Sequence, residues 1–444
     1  MESMWSLSSG PMPTVDPPEG APHQIAVLGA GHVGLVTAVG FTHHGMRVRV
    51  GEAAPERLAL LQSGGVPFYE PGLAPMVAEG IEAGLLTFHV SNAEAARSAS
   101  AVFLAVPTPA GTDGSADLAA VESAIRSIAS VSTGDTAVVV KASVPPGSWR
   151  HIQEWMDDAG CAGSLVINPE FLQEGRALAG VLEPARVVVG SNDRAAADLV
   201  ASLHAPLETT VLQTDPASAE LIKYSANAYL AMRVTFANTI ASLADVVGAD
   251  MADVVQGIGL DPRIGTHFLR PGPGYGGSCF PKDLPALIAV AGEHGLDPVL
   301  LAAVVEANEQ QAQRVIGKLA EGLGSLHGRR VALLGLAFKA DTDDTSESPA
   351  VKLAAALVEA GAEVRAYDPA ATIAVEGVDQ VESISDALDG ADGLLIATEW
   401  PEFADLAPSV VAGAMRGNVV VDARNMMDKQ KAIAAGLDYR GMGR

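Results

Sequence analysis

The stretch Ile25-Ala-Val-Leu-Gly29-Ala-Gly31-His-Val-Gly34 decides how this chain is expected to fold. Its apolar start predicts a buried strand, and three glycines at the spacing G-x-G-x-x-G follow directly. Gly29 permits a tight turn, Gly31 lets a pyrophosphate approach the backbone, and Gly34 allows close packing of the next helix on the strand. The stretch therefore predicts a strand, a turn and a helix that together bind a dinucleotide.

An acidic residue at the expected distance supports this interpretation and indicates which dinucleotide is bound. Glu52 ends the second β-rich run, about 20 residues beyond the glycines. Its carboxylate would bind a ribose 2′-hydroxyl and repel a 2′-phosphate. Ala53 and Ala54 follow, with no adjacent arginine to receive a phosphate, so the expected cofactor is NAD. The alternative is an ordinary glycine turn in an α/β fold.

Short apolar runs alternate with helical stretches on both sides of a different middle region. The first series, up to about Leu212, contains IAVLGA, VRVGE, AVFLAVP, TAVVVKAS, LVINPE and RVVVG. The second series, from Arg330, contains RVALLGLAF, VRAYD, GLLIAT and NVVVDAR. Strands that alternate with helices predict parallel, doubly wound sheets. Two α/β units are therefore expected to flank the middle of the chain.

The middle region opens with a strong helix start. Asp215 can cap a helix and Pro216 suits the first turn, and neither proline nor glycine occurs again before Gly248. Glycine is a common residue at a helix C-terminus. The pattern predicts one unusually long helix that ends at Gly248.

Composition excludes several classes of protein. The chain has 444 residues, of which 48% are hydrophobic, and a formal net charge of −25, which argues against nucleic-acid binding. Residues 1–22 are expected to form a disordered tail, since they have neither the basic start nor the apolar core of a signal peptide. Two cysteines make no disulfide framework, so a cytoplasmic location is expected. We expect no membrane helix, because glycines and His32 interrupt the best candidate, Ile25 to Phe41.

A glycine-rich segment, residues 274–283 (GYGGSCFPKD), contains Cys279. A substrate can approach a cysteine closely in such a loop, and Lys282 together with a helix start after Pro281 would favour the thiolate. Asp283 could hold a water or a proton. The alternative, a buried structural thiol in a turn, is equally compatible with the spacing alone.

Two further groups are candidates for chemistry. Lys223 and Asn227 are four residues apart on the long helix and so share one face. A buried Lys223 could stabilise an oxyanion, whereas a lysine that extends to the surface is the more common case. Glu170 follows the strand LVI, where ligands bind in α/β sheets, and is a candidate general base. A carboxylate that caps a helix is an equally good interpretation of Glu170.

These residues belong to a longer ordered series of motifs. The series comprises GAGHVG, VPTP, KASVPPGS, NPEFLQEG, AELIKYSANAYLA, DPRIGTHFLRPGPGYGGSCFPKD, LGLAFKADTDDTSESPA, TEWPEF and DARN. From Ile25 to the end, the chain resembles the UDP-glucose/GDP-mannose dehydrogenase family, and most closely the branch that oxidises UDP-glucose. The cysteine-bearing motif is the most specific of the series.

The resemblance implies an α/β fold of two Rossmann-like doubly wound domains joined by a long central helix. Residues 23–212 would form the NAD-binding domain, 213–320 a central helical region for dimerisation and catalysis, and 321–444 the domain that binds the UDP-sugar. It implies NAD as cofactor, no metal, a homodimer, and neither nucleic-acid nor membrane partners. The reaction would be the two-step oxidation of UDP-glucose to UDP-glucuronate through a thiohemiacetal and a thioester on Cys279.

The resemblance also implies roles for individual residues. The catalytic residues would be Cys279, Lys223, Asn227, Asp283, Glu170 and Thr108. The NAD-binding residues would be Gly29, Gly31, Val33, Gly34, Glu52, Arg57, Thr108, Ser143 and Glu174. The substrate-binding residues would be Glu170, Phe171, Leu172, Lys223, Asn227, Arg263, Phe268, Arg270, Tyr275, Gly276, Phe338, Lys339 and Arg424. Five cations, Lys223, Arg263, Arg270, Lys339 and Arg424, are expected to form a local basic site in this acidic chain.

The chain departs from the family pattern at a few positions, none of which removes a proposed catalytic group. Ser346 replaces an arginine that touches the cofactor in relatives, which puts the strength of NAD binding in doubt. Ala142, Pro146 and Thr239 also differ from the usual residues. Two alternative functions stay open: oxidation of GDP-mannose or a UDP-N-acetylhexosamine, and a non-catalytic nucleotide-binding sensor.

Overall fold

A computed structural model describes residues 24–111 and 114–444, so the expected disordered tail lies outside the described residues. The chain divides into two compact units. The first comprises residues 24–108 and 118–220, and the second comprises residues 109–117 and 221–444. The second unit thus contains the central region together with the C-terminal α/β region. The predicted boundaries after residues 212 and 320 stay predictions.

The first unit contains an eight-stranded sheet in the order β3-β2-β1-β4-β5-β6-β7-β8. The strands are β1 Gln24–Leu28, β2 Arg47–Gly51, β3 Leu86–His89, β4 Ala101–Leu104, β5 Ala137–Val140, β6 Ser164–Ile167, β7 Val187–Gly190 and β8 Val211–Thr214. Neighbouring strands are parallel except β6 and β7, which meet antiparallel at Ile167 and Gly190. The six apolar runs predicted in this half are therefore all strands, and the doubly wound sheet is confirmed.

Helices cover this sheet and bury its apolar strands. They are α1 His32–His43, α2 Pro55–Gln62, α3 Leu73–Glu82, α4 Asn92–Ala96, α5 Ala119–Ile128, α6 Trp149–Asp158, α7 Ala177–Leu182 and α8 Arg194–Leu203, with a 3-10 turn at Ala205–Leu207. Ile25 and Val27 of β1 and Leu35 and Val39 of α1 are completely buried in one core. Such continuous apolar strands form because a parallel sheet is covered on both faces.

The second unit contains a six-stranded parallel sheet in the order β11-β10-β9-β12-β13-β14. The strands are β9 Arg330–Leu334, β10 Glu363–Tyr367, β11 Val378–Gln380, β12 Gly393–Ile396, β13 Val419–Asp422 and β14 Asp438–Gly441. The helices around it are α13 Gln311–Leu323, α14 Pro349–Glu359, α15 Ile384–Leu388, α16 Pro401–Ala404, α17 Pro408–Ala414 and α18 Lys429–Ala434. The prediction of two doubly wound regions is confirmed.

The predicted long helix is α9, Pro216–Val247, which has 32 residues. Asp215 Oδ1 accepts a hydrogen bond from Ser218 N at 2.9 Å, and Gly248 ends the helix with a φ of 76°. Both capping predictions are thus confirmed. The helices α10 Met251–Gly259, α11 Phe280–Glu293 and α12 Val299–Glu309 follow it.

The length and composition of α9 are also sufficient for a membrane span, so the expectation that no such stretch exists is wrong. We overlooked α9 because Glu220, Lys223 and Arg233 interrupt its apolar residues. Tyr224 and Ala231 on the same helix are completely buried within the protein. The apolar window of α9 is 33% buried inside the protein, and the membrane criterion rests on length and composition alone.

The topology brings the loops that carry the sequence motifs to one edge of the first sheet. Residues 29–31, 105–108, 141–148 and 168–176 follow the parallel strands β1, β4, β5 and β6. Ligands of open α/β sheets bind at this carboxyl edge. The motifs of the first unit are therefore neighbours although they are far apart in sequence.

Candidate active site

The glycine-rich turn has the geometry that a dinucleotide needs. Gly29 has a φ of 97°, and a Cβ there would lie 2.7 Å from the carbonyl oxygen of Ala105. A Cβ on Gly34 would lie 1.9 Å from the oxygen of Gly29, so helix and turn pack in direct contact. A Cβ on Gly31 would meet nothing within 4 Å. The space above Gly31 is thus open to a ligand, as the fingerprint predicts.

Glu52 stands directly after β2, where a ribose-binding acid is expected. It is buried, and its carboxylate accepts hydrogen bonds from Ala30 N at 3.3 Å and Ala54 N at 2.8 Å. Arg57 Nη1 lies 3.6 Å from Glu52 Oε2. Residues 53 and 54 carry no cation, as the sequence shows, but α2 brings Arg57 beside Glu52, so the expectation of no cation near this carboxylate is wrong.

These features together fit NAD. Gly31 is the N-cap of α1 and provides no capping side chain, so the first amides of the helix are available to a pyrophosphate. Glu52 supplies the acceptor for a ribose hydroxyl. Val33, a further residue proposed to contact the cofactor, is half-buried against the core.

Two loops on the same edge carry the residues expected on the nicotinamide side. Thr108 follows β4 and is buried, and its hydroxyl donates to the carbonyl oxygen of Ser143, after β5, at 3.0 Å. Glu174 is half-buried in the loop after β6. The hydrogen bond fixes Thr108 against the β5 loop, although the two residues are 35 positions apart in sequence.

Glu170 is held firmly in the loop after β6. It is buried, and its Oε2 accepts a hydrogen bond from Leu172 N at 2.5 Å. The guanidinium of Arg186 stacks on the ring of Phe171 at 3.5 Å. Burial lowers the pKa of Arg186 from its usual value. The backbone bond agrees with the alternative that Glu170 caps its own loop.

Buried polar residues that the sequence analysis missed support this loop. Lys141 Nζ donates to Asn168 Oδ1 at 3.1 Å, and Asn168 Nδ2 donates to the carbonyl oxygen of Val188 at 2.7 Å. Both side chains are buried. KASVPPGS and NPEFLQEG were quoted as motifs, but nothing in either motif indicated that their first residues bind each other.

Glu220 anchors the start of α9. Its carboxylate accepts hydrogen bonds from Gly147 N and Trp149 N, each at 2.7 Å, at the beginning of α6. Burial raises the pKa of Glu220 to about 8. The structure shows a buried link between α6 and α9, one turn before Lys223.

Cys279 is the N-cap residue of α11 in the second unit. It is half-buried, and its Sγ lies 3.7 Å from Ser278 Oγ. The amides of Lys282 and Asp283 donate to its carbonyl oxygen at 3.2 and 2.9 Å. A helix N-terminus favours a thiolate. Its partial exposure does not fit a fully buried structural thiol, whereas Cys161 is buried.

A buried polar pair lies on α9 and α11. Asn227 Nδ2 donates to Asp283 Oδ2 at 2.6 Å, and Lys282 Nζ lies 3.6 Å from Asp283 Oδ1. Lys223, one turn before Asn227, has only 3% of its surface exposed. Lys223 is therefore not a lysine that extends into solvent, which the sequence alone favoured.

Three amide side chains that the sequence analysis missed hold the loop before Cys279. Asn238 Oδ1 accepts from Gly272 N at 2.7 Å, and Gln311 Nε2 donates to the carbonyl oxygen of Gly272 at 2.8 Å. Asn308 both accepts from Tyr275 N at 2.8 Å and donates to its carbonyl oxygen at 3.1 Å. Paired amide bonds of this kind fix the loop on α9, α12 and α13.

Aromatic rings lie beside this loop. Tyr275 and Phe268 lie 5.9 and 6.3 Å from Phe280, between ring centroids. Phe268 has a φ of 59°, a conformation that is uncommon for a bulky residue. Burial, with a further contribution from Glu309, raises the pKa of Tyr275 to about 12. A Cβ on Gly276 would lie 2.4 Å from the oxygen of Glu347, so only glycine fits there.

The C-terminal sheet places Arg424 beside the same loop. Arg424 donates to the carbonyl oxygens of Phe338 at 3.0 Å and Ala397 at 2.9 Å, and it lies 3.0 Å from Glu399 Oε2. A Cβ on Gly272 would lie 3.2 Å from Arg424 Nη1. The loops after β9, β12 and β13 therefore meet the cysteine-bearing loop within the second unit.

Ser346, the departure from the family pattern, contributes its backbone to this region. Its carbonyl oxygen accepts from Gly277 N at 3.0 Å, and its own amide donates to Asp344 Oδ1 at 2.7 Å. A Cβ on Gly277 would lie 2.8 Å from the ring of Phe338. The contact between the loop of Ser346 and the cysteine loop therefore does not require the usual arginine side chain.

The five predicted cations occupy different environments in the second unit. Lys339 Nζ lies 5.8 Å from the ring of Phe338, the residue that Arg424 binds. Lys223 is buried on α9, and Arg270 is exposed. The Arg263 side chain is 87% exposed and pairs with Asp261 at 2.6 Å. Among the described residues, no group of three or more histidine, cysteine or acidic side chains could hold a metal ion.

Comparison with known sequences gives a consistent family match along the chain. Residues 23–208 match the model described as the UDP-glucose/GDP-mannose dehydrogenase family, NAD binding domain. Residues 217–310 match the central domain of this family, and residues 332–429 match its UDP binding domain. A UDP-glucose 6-dehydrogenase of Pseudomonas aeruginosa is 40% identical over 442 residues, which cover 95% of this chain and 97% of the relative.

Solved structures give the same result. A UDP-glucose dehydrogenase of Pyrobaculum islandicum superimposes with a TM-score of 0.90 at 38% identity, over 97% of this chain and 99% of its own. A UDP-D-ManNAc dehydrogenase of Pyrococcus horikoshii has a TM-score of 0.86 at 28% identity, over 95% of this chain and 99% of its own. The similarity is therefore greater to the protein that acts on UDP-glucose.

Proposed function

Because the chain belongs to the UDP-glucose/GDP-mannose dehydrogenase family, we propose that it oxidises UDP-glucose to UDP-glucuronate with two molecules of NAD. The 40% identity to a UDP-glucose 6-dehydrogenase favours this substrate within the family. The observation that carries the chemistry is Cys279 at the N-terminus of α11, one helical turn before Asp283, which binds Asn227 in a buried pair. NAD, when bound, accepts a hydride in each of two oxidations.

The role of Cys279 follows from the reactivity of the first product. The C6 alcohol loses a proton and a hydride and becomes an aldehyde, which would leak from the site if it stayed free. The Cys279 thiolate adds to the aldehyde carbon and forms a thiohemiacetal. Loss of a second hydride and of the hydroxyl proton leaves a thioester on Sγ. Water then adds to the thioester carbon, and the C–S bond breaks to release the carboxylate and the thiol.

Negative charge develops on the C6 oxygen during thiolate addition and during hydrolysis. We assign its stabilisation to Lys223 and Asn227, which share one face of α9 and are buried. Donors that are already oriented in a water-poor site stabilise such charge more strongly than water does. Asn227 donates one amide hydrogen to Asp283, and this bond fixes its orientation.

The hydrolytic water needs a proton acceptor. We assign this role to Glu170, with Asp283 holding the water and Thr108 positioning a proton relay. Glu170 keeps one oxygen on Leu172 N, which fixes its rotamer, and Asp283 is buried beside Lys282. A carboxylate fixed in this way acts as a base only if its second oxygen reaches the water.

Several side chains and one glycine are proposed to contact the sugar nucleotide. Phe171 and Leu172 come from the loop of Glu170. In the second unit the candidates are Arg263, Phe268, Arg270, Tyr275, Gly276, Phe338, Lys339 and Arg424. Arg424 donates to the backbone carbonyl oxygen of Phe338 and Lys339 Nζ lies 5.8 Å from its ring, so we assign these two cations to the diphosphate.

We also propose a homodimer, formed through α9, in a cytoplasm. Tyr229, Phe236 and Leu243 are 53%, 48% and 55% exposed, and their seven-residue spacing puts them on one face of the helix. Large apolar side chains that are exposed together on one face of a helix favour an interface. We propose neither membrane nor nucleic-acid partners, in keeping with the net charge of −25. Sedimentation measurements of the purified chain would test the dimer.

The decisive experiment measures NADH formation against a panel of sugar nucleotides. We expect the highest kcat/KM with UDP-glucose and two NADH per sugar consumed. A higher kcat/KM with GDP-mannose, UDP-N-acetylmannosamine or UDP-N-acetylglucosamine would show that UDP-glucose is not the preferred substrate. The proposed mechanism on Cys279 would still stand. Absence of turnover with every member of the panel, together with intact NAD binding, would favour a nucleotide sensor instead.

A further inference from the structure

The carboxylate of Glu70, which has no assigned role, connects two loops of the first unit. We propose that Glu70 is a positioning residue that locks the dinucleotide-binding turn, through His32, to the loop that carries Glu170 and Glu174. This inference rests on the proposed function only for what those two glutamates do. The NAD-binding part of it stands on the fold and on the family of the domain.

Glu70 is enclosed by donors on both oxygens. Its side chain has no exposed surface. Oε2 lies 2.8 Å from His32 Nε2 and accepts from Gly175 N at 2.7 Å. Oε1 accepts from Ala177 N at 2.8 Å and, more weakly, from Leu178 N at 3.4 Å. An ionised carboxylate only accepts hydrogen bonds, so the contact with His32 requires the hydrogen on Nε2.

His32 lies directly beside the dinucleotide-binding turn. It is the first residue of α1 and directly follows Gly31, where the backbone is open to a ligand. Its ring stacks on Phe68, with centroids 4.5 Å apart and planes at 21°. Phe68 lies two residues before Glu70, so one short segment holds the ring from its face and from its edge.

The other partner of Glu70 is the end of the loop after β6. Gly175 directly follows Glu174, and Ala177 begins α7. The N-cap residue of α7, Arg176, provides no capping side chain, so Glu70 satisfies amides that the chain itself leaves open. Because Glu70 Oε2 is shared between His32 and Gly175, a shift of either loop disturbs the contact of the other.

A purely local role is the competing explanation. Glu70 could simply cap the short helix α7, in which case the contact with His32 would add little. The two explanations differ in what they predict for His32. If Glu70 only caps α7, removal of the His32 donor leaves NAD binding unchanged. If Glu70 locks both loops together, NAD binding weakens although all three backbone bonds remain.

The test compares His32→Phe, His32→Gln and Glu70→Gln in the full chain. Phe keeps the stacking on Phe68 but has no donor, whereas Gln retains an N–H for Glu70. Asp193→Asn is the matched control, because Asp193 caps α8 in the same unit with bonds to the amides of Ala195 and Ala196. NAD affinity is measured by calorimetry without sugar nucleotide, and amide exchange is followed at residues 175–178.

We expect His32→Phe and Glu70→Gln to weaken NAD binding by about tenfold, since each removes a hydrogen bond to a charged group. His32→Gln and Asp193→Asn should stay within about threefold of the parent. NAD should slow amide exchange at residues 175–178 in the parent and in His32→Gln, and this protection should be lost in His32→Phe.

Parental NAD affinity and parental NAD-dependent protection in His32→Phe would overturn the inference and leave Glu70 as a cap of α7. Neither measurement uses UDP-glucose. A parent protein that binds NAD but does not oxidise UDP-glucose would therefore refute the proposed function without affecting this inference.

Discussion

The two sheets of this protein use the same turn for different purposes. Gly29 after β1 and Gly335 after β9 both have a φ of 97°. In the first unit α1 begins at His32, so a helix N-terminus directly follows the turn. In the second unit residues 335–348 separate β9 from α14, and this long loop contains Phe338. A short turn leaves helix amides for a dinucleotide, whereas the long loop provides side chains for a different nucleotide.

The acidic residue after the second strand shows the same divergence. Glu52 accepts hydrogen bonds from two backbone amides. Asp368, at the equivalent position after β10, accepts from Leu336 N, Ala337 N, Ala370 N, Ala371 N and Trp400 Nε1, at 2.7 to 3.1 Å. A carboxylate has about four lone-pair positions, so Asp368 has no acceptor left for a ribose. We therefore propose that the same position serves ligand binding in the first sheet and stability in the second.

The largest effect should come from replacing Cys279, which lies outside both sheets at the start of α11. Cys279→Ala should reduce kcat by about a thousandfold or more, because no thiol remains to form the covalent intermediate. Calorimetry should show that NAD and UDP-glucose still bind within about twofold of the parent. Such a result would separate the binding role of the two sheets from the chemistry.

Cys279→Ser sharpens the same test. A serine hydroxyl is a weaker nucleophile and a poorer leaving group than a thiol. We expect single-turnover NADH and an ester on residue 279 that mass spectrometry can detect. Near-parental steady turnover of Cys279→Ala would mean that water adds directly to the aldehyde, and the covalent mechanism would be abandoned while the fold and the NAD site would stand.

The next prediction tests whether Asp368 contributes more to stability than Glu52 does. Asp368→Ala should lower the free energy of unfolding by about 3–5 kcal/mol, because it leaves several buried donors without an acceptor. Glu52→Ala, the matched change in the first sheet, should cost about 1 kcal/mol or less. Urea unfolding of the two variants provides the comparison. Equal losses would show that both acids are mainly structural.

The two units should also respond differently to pH. Burial, with a contribution from the charge of Lys141, lowers the pKa of His204 in the first unit to about 4. At His204 the unfolded chain therefore binds more protons than the folded one between about pH 6.5 and 4, and its contribution to stability in this window falls as pH falls. Between pH 7 and 5 the loss from His204 should be about 2 kcal/mol, and Glu220 in the same unit, whose pKa burial raises to about 8, should oppose it with a gain of about 2.5 kcal/mol.

In the second unit, the buried Asp422 contributes a pH dependence of stability that is opposite in sign to that of His204. Burial raises the pKa of Asp422, so its contribution is complete at low pH and is lost as pH rises through the folded value. Hydrogen exchange at pH 5 and 7, corrected for intrinsic rates, should compare the parent with His204→Gln. Between pH 7 and 5 the variant should gain about 2 kcal/mol relative to the parent at β4 and β5 but not at β12 and β13, because it lacks the His204 contribution and retains that of Glu220. The same pH dependence in parent and variant would exclude His204 as a cause.

The sequence predicted the interior of both sheets but not their edges. The four strands β3, β8, β11 and β14 were not among the predicted runs, and all four are edge strands. Edge strands are partly exposed and need no continuous apolar run, as the burial of β3 and β8 shows. The predicted runs are strands with a neighbour on each side, including the partly exposed β2 and β10.

In the candidate site, too, some features were predictable from the sequence and others were not. The glycine turn and the cysteine loop were predictable because each is a local pattern. Glu70 binds Gly175 across 105 positions, and Asn308 binds Tyr275 across 33. Neither has a spacing that single-sequence reasoning recognises, because the folded topology alone brings the partners together. The residues that support a site through long-range contacts are therefore the ones that a single sequence does not predict.

The smallest effect concerns cofactor choice. Glu52→Ala removes the charge that would repel a 2′-phosphate and releases Arg57, now 3.6 Å from Glu52, to pair with that phosphate. The ratio of kcat/KM for NAD to that for NADP should fall by at least about tenfold, or 1.4 kcal/mol. The double variant Glu52→Ala/Arg57→Ala should lose most of the gain with NADP, because no cation then faces the phosphate. An unchanged ratio in the single variant would mean that the shape of the pocket, rather than Glu52, selects the cofactor, and Glu52 would then be as structural as Asp368.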